Sequence, residues 1–164
     1  MSTIHIKSIA YIFWLCLALA ACSSPSSSDE VTSEMTVKQT VLAGNTAERI
    51  ASMRALLRTS PMTLLDAQHA EQQYGDDHMG PADYQGFYYL QAPVEQVRLW
   101  ASTLTPLQQR PNYDAPTPSQ PWWLTEPAFN ALTFYEVTAV TYRVQGWVGV
   151  NAQTGKIYIH DYTT

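Results

Sequence analysis

Cysteine is almost missing from this chain, with two in 164 residues, Cys16 and Cys22. From Ser23 onward there is no disulfide, no thiolate metal ligand and no cysteine nucleophile, so the core alone must hold the fold. Basic residues are scarce too: 9 Lys and Arg face 14 Asp and Glu, for a formal net charge of −5. They form no cluster. That argues against nucleic acid as a partner and against an electrostatic grip on anionic lipid, both of which call for clustered positive charge. Short signatures of catalysis are absent as well. There is no Gly-x-Ser-x-Gly and no Ser-x-x-Lys for an activated serine. There is no His-x₃-His and no Glu-x-x-His for a metal. The apolar run Ile9–Leu19 stops short of the roughly 20 residues that a membrane-spanning helix needs.

That run is nonetheless the most informative stretch present. Met1–Lys7 is polar with one lysine, Ile9–Leu19 is apolar almost throughout, and Leu19-Ala20-Ala21-Cys22 follows, then a serine tract. A positive start, an apolar stretch of about 7–15 residues and small residues at the cut describe a secretory signal rather than an uncleaved anchor. With cysteine at its end it resembles a bacterial lipoprotein signal peptide with a lipobox. The resemblance covers residues 1–22 and implies that Cys22 carries a diacylglyceryl thioether and, after cleavage, an acylated amine. Two or more chains hold a protein stably on a bilayer, at about 0.8 kcal/mol per buried CH₂. The implied partner is thus the lipid bilayer, through Cys22. Ser23 rather than aspartate after the cysteine resembles the outer-membrane default of Gram-negative lipoproteins, facing the periplasm; in another envelope the site would be the outer face of the cell membrane.

The remaining chain divides into residues 22–44, lipidated and Ser/Thr-rich, and one small domain over residues 45–164. Ser23–Lys38 is acidic and poor in large apolar side chains, which reads as a tether. Asn45–Arg58 reads as a helix, with Asn45 and Glu48 spaced as a capping box and Ile50, Met53 and Leu57 in one stripe. Ser60-Pro61 can restart a helix, so Pro61–Tyr74, with Met62, Leu65 and His69 in register, predicts the second arm of a helical hairpin. Tyr84–Leu90 reads as a strand and Pro93–Leu104 as a third helix. Thr105–Pro127 holds six of the 10 prolines, which argues against a regular helix or a central strand and reads as a long loop. Phe134–Val137, Ala139–Val144, Trp147–Val150 and Lys156–Tyr162 read as strands, the last two joined by the turn Asn151–Gly155. The expected fold class is α+β: a C-terminal antiparallel meander of three or four strands covered by helices, with an N-terminal helical hairpin.

Candidate sites are few. Asp76-Asp77-His78, His69 and His160 offer too few spaced ligands for a metal, and no cofactor is implied. Glu126, Glu136 and Asp161 are the carboxylates that a glycan-cleaving or other cell-wall enzyme would use, were two of them to meet. Aromatic residues are the richest feature, and Trp122 and Trp123 in the proline-rich loop are the candidate binding residues, since aromatics dominate recognition surfaces and stack on sugars. The reading that follows is a membrane-anchored periplasmic lipoprotein acting as a noncatalytic binding or accessory module for an envelope protein or glycan. An immunity-type protein that blocks a toxin is its sharper variant. The alternatives are a cell-wall enzyme or enzyme cofactor, and a structural lipoprotein of envelope assembly.

Overall fold

Alternation of side chains, rather than helical stripes, organises most of this molecule. In the computed structural model, which describes residues 37–75 and 82–163, six strands form one antiparallel sheet. They are β1 (Val37–Val41), β2 (Asp66–Tyr74), β3 (Asp83–Gln91), β4 (Thr133–Glu136), β5 (Gln145–Asn151) and β6 (Lys156–Tyr162), in the order β1-β2-β3-β6-β5-β4. The helices among these residues are short: α1 (Thr46–Leu56), α2 (Val94–Ala101) and α3 (Glu126–Phe129). The lipobox with Cys22, the expected tether up to Thr36 and Asp76-Asp77-His78 lie outside the described residues, while Val37 and Lys38 at the tether's end belong to β1.

The expected α+β class with a helical hairpin is overturned. Pro61–Tyr74 is not a helix: residues 57–65 form a connecting loop and the rest is β2, an interior strand paired with β1 on one side and β3 on the other. Ala, Gln and Glu favour helix in isolation, but strand preference is decided by what the two faces of a sheet pack against. In β2, Ala67 and His69 are buried on one face, and Ala70 and Gln72 on the other. The expected helix-covered meander is matched in part. β4, β5 and β6 are consecutive antiparallel neighbours, and β3 joins them beside β6. Ala139–Val144 is not a strand; it is the irregular connection from β4 to β5, with Val140 and Thr141 buried and Tyr142 and Val144 exposed at 74% and 76%. In this connection only Val140 of the alternating apolar side chains is buried, while Tyr142 and Val144 point to solvent, so the pattern that predicts a half-buried strand has no sheet behind it.

α1 forms where its capping box does. The Asn45 side chain accepts from the Ala47 and Glu48 amides, and the Glu48 carboxylate accepts from the Asn45 amide at 2.9 Å. Arg49 ties this helix to β2, donating to the Ala67 carbonyl and, at 2.7 Å, to Asp66. At the other end of the chain, β5 and β6 turn through residues 151–155. The Asn151 side chain accepts from the Gln153 and Thr154 amides, and Gly155 takes a φ of 71°, where a side chain is disfavoured.

Both faces of the sheet are covered. One carries the aliphatic core, where Met53 and Leu57 from the α1 region and Val97, Trp100 and Ala101 from α2 pack with Leu90, Val148, Val150, Ile157 and Ile159. The other face is aromatic: Phe87, Trp147 and Tyr158 pack under Trp123, Leu124 and Phe129. Trp123 and Leu124 belong to the proline-rich segment, which lies along the sheet as a strap and ends in α3, the helix that carries Phe129. Lacking the amides that prolines remove, the strap is fastened by side chains. Gln39 on β1 donates to the Pro118 carbonyl and accepts from Gln120, and Gln72 on β2 donates to the Thr117 carbonyl. The start of the strap also closes the outer edge of β4, through Leu107 N–H to the Phe134 carbonyl and Glu136 N–H to the Thr105 carbonyl. A sheet edge left open invites pairing with other chains, and here it is paired.

Candidate functional site

Strand register builds a floor at one end of the aromatic face. Gln85 on β3 lies opposite Tyr162 on β6, and His160 on β6 lies opposite Trp147 on β5, so all four side chains rise on the strap side. Residues 109–114 of the strap form the facing wall, and between the two is a hollow of about 580 Å³. That volume falls within the range of about 300–1,000 Å³ of small-molecule sites. The wall contributes amides from Gln109 and Asn112, the Arg110 guanidinium, the Tyr113 ring and the Asp114 carboxylate.

His160 is the pivot of this hollow. Its ring stacks on Phe87 at 4.6 Å between centroids, meets Trp147 edge-on at 5.8 Å and leans on Tyr162 at 5.4 Å. Burial lowers its pKa, against the pull of Asp114 and Asp161, so the imidazole is held neutral. Its Nε2 has no hydrogen-bond partner and lies 3.7 Å from Asp114 Oδ2, too far for a bond. Asp114 is 46% exposed at its side chain, and its other oxygen accepts from the Ala115 amide at 2.8 Å. Arg110 is already engaged: its guanidinium lies 5.5 Å from the Phe129 and Phe134 ring centres and donates to the Phe129 carbonyl at 3.2 Å. One cation and one carboxylate in the wall leave the hollow near neutral. No family model, no curated protein and no solved structure matches this chain.

The sequence candidates are distributed differently. Trp123 is buried beneath the strap, edge-on to Phe87 at 5.2 Å and to Tyr158 at 5.6 Å, and its indole N–H donates to the Asp114 carbonyl at 2.8 Å. Trp122 is half-buried, edge-on to Trp123 at 5.9 Å. Neither lines the hollow; Trp123 holds its wall in place through Asp114. The three candidate carboxylates do not form an acid–base pair. Glu126 is exposed at the start of α3, Glu136 is half-buried at the end of β4, and Asp161 is buried on the opposite face of the sheet. There Asp161 accepts from Arg143 at 2.8 Å and from the Tyr88 hydroxyl at 3.1 Å, while Arg143 donates at 2.6 Å to Glu71. Gly86 makes room for this cluster, since a side chain there would run into Asp161 and Tyr88. Sequence reasoning missed Arg110, Asp114, Glu71 and Arg143. Aromatic alternation in β6 was the available signal for Tyr162 and His160, and nothing local marks their partners in the strap.

His69 sits beside the Arg143 cluster, its ring 4.4 Å from that of Tyr88 and its Nε2 without a hydrogen-bond partner. Burial lowers its pKa to about 4, outweighing the pull of Glu71 and Asp161. Below pH 6.5 the unfolded chain protonates this residue before the folded one does. The neutral histidine's contribution is therefore complete above about pH 7 and is lost as the pH falls from 6.5 towards 4, by about 2–3 kcal/mol at pH 4.5. Urea unfolding of the wild type and of His69→Phe at pH 7.5 and 4.5 checks this. The wild type should lose more stability on acidification than the variant, and equal losses would remove His69 as the cause.

Proposed function

We propose that this protein is a lipid-anchored, periplasm-facing envelope protein whose domain is a noncatalytic binding module. The observation that carries the reading is the hollow between the strap and the sheet, with an aromatic floor, an amide-rich wall and the neutral His160 beside Asp114. Recognition sites are concave, largely preformed and lined by apolar surface with a few polar groups that fix orientation. Asp161, the one buried carboxylate among the enzyme candidates, is bonded to Arg143 and Tyr88, which speaks for a structural role rather than proton transfer. Anchorage rests on the lipobox at Cys22 and its implied acylation, with the outer membrane indicated by Ser23.

Ligand-observed NMR on the full-length protein in detergent micelles, screened against a library of small polar and heteroaromatic fragments, tests the binding reading. Hits whose signals disappear with Tyr162→Ala, in a variant with unchanged circular dichroism, are expected. A silent library, or hits indifferent to Tyr162→Ala, would overturn it. The anchor is tested separately by fractionation: Cys22→Ser should move the protein out of the membrane pellet, and retention there would refute lipidation as the tether.

A further inference from the structure

Resting on that binding reading, we propose that the hollow is one end of a longer groove that takes a neutral saccharide of two or three rings. Tyr162 carries the argument, because it lines both the larger hollow and a second one of about 300 Å³ beside it. The second hollow is formed by the β4–β5 connection, with Tyr142, Arg143 and Val144. A ligand that fills both is extended and meets Tyr162 between its two ends.

Three features set the chemistry. The charge is balanced: Arg110 and Asp114 oppose one another in the larger hollow, and Arg143 in the smaller one is already paired with Glu71 and Asp161. With one charge of each sign in the larger hollow and a compensated guanidinium in the smaller one, the lining carries no excess charge to select an ionic ligand of either sign. The polar groups are those that grip vicinal hydroxyls, namely the amides of Gln85, Gln109 and Asn112 and the carboxylate of Asp114, each of which can accept, with the amides donating too. Aromatic surface is placed where sugar rings would lie. Tyr162 forms the divide, and Tyr142, at 74% exposure, stands free beside the second hollow. The C–H faces of a sugar ring pack against such rings, as other apolar groups do.

His160 and Asp114 fit the same ligand. Asp114 shields Nε2 without bonding to it, and its exposure leaves it room to swing outward. With the imidazole proton on Nε2, a hydroxyl entering the gap can accept from Nε2–H and donate to the carboxylate at once, which ends the isolation of a buried polar atom.

The test is isothermal titration of the full-length protein in detergent micelles with chitotriose, cellotriose and maltotriose. Charged controls are the glucosamine trimer and a sialylated trisaccharide. Binding of at least one neutral trisaccharide is expected, weakened at least tenfold by Tyr162→Ala and by Asp114→Ala, with Tyr142→Ala weakening the trisaccharide but not the corresponding disaccharide. Silence from all the neutral sugars, or preference for a charged control, would overturn the saccharide assignment. If fragments still bind in a Tyr162-dependent way, the binding module stands with another ligand; if they do not, both readings fall together.

Discussion

Replacing Arg143 with methionine should destabilise the protein by about 3–5 kcal/mol, the range for removing one partner of a buried ion pair. The guanidinium joins three parts of the chain: it extends from the β4–β5 connection to Glu71 on β2 at 2.6 Å and to Asp161 on β6 at 2.8 Å. Asp161 is 1% exposed at its side chain, so water cannot replace the lost donor, and the Tyr88 hydroxyl alone remains to answer its charge. The double variant Arg143→Met with Asp161→Asn should recover at least half of the loss, because it removes the stranded charge along with its partner. Urea unfolding of the wild type, both single variants and the double variant gives the coupling energy. A cost below about 1 kcal/mol for Arg143→Met would place the pair with exposed ion pairs, which contribute little. The same substitution should also disturb the smaller hollow, since Arg143 lines it.

What could be read from the sequence follows the range of the interactions that decide each element. α1 was legible because its determinants are three residues apart, Asn45 and Glu48, and its stripe lies within a few turns. β6 was legible because Ile157 and Ile159 alternate with Tyr158 and His160, and both faces are buried against something. The helical reading of β2 fails because its fate is set by β1 and β3, whose pairing turns Ala67 and Ala70 to opposite buried faces; of the stripe Met62, Leu65 and His69, the first two lie exposed in the preceding loop and only His69 belongs to the strand. β1 was absorbed into the tether because two valines among polar residues carry no period. The groove was half legible. Its floor is a strand pattern, while its wall is irregular chain whose position depends on hydrogen bonds from Gln39 and Gln72, far away in sequence, and from Trp123 further along the strap. Composition pointed to the tryptophan pair but could not say that one of the two fastens the strap.

Trp123→Ala should be the most damaging single change on the aromatic face, at about 3–5 kcal/mol, the range for truncating a buried tryptophan or phenylalanine. Trp123 packs on Phe87, Trp147 and Tyr158, so its loss opens a cavity in the middle of that cluster. Its indole bond to the Asp114 carbonyl goes as well, at about 1 kcal/mol within that total. Trp122→Ala, removing a half-buried ring, should cost well under half as much. The pair also separates fold from function. Hydrogen exchange should show lost protection across residues 113–124 in Trp123→Ala, and ligand binding in the groove should fall even at temperatures where the variant is fully folded, because the wall that carries Asp114 is no longer held against the sheet. Trp122→Ala should keep both protection and binding. Equal damage from the two would mean that the strap is gripped along its whole length rather than pinned at Trp123, and binding that survives Trp123→Ala would mean that the groove does not depend on its wall.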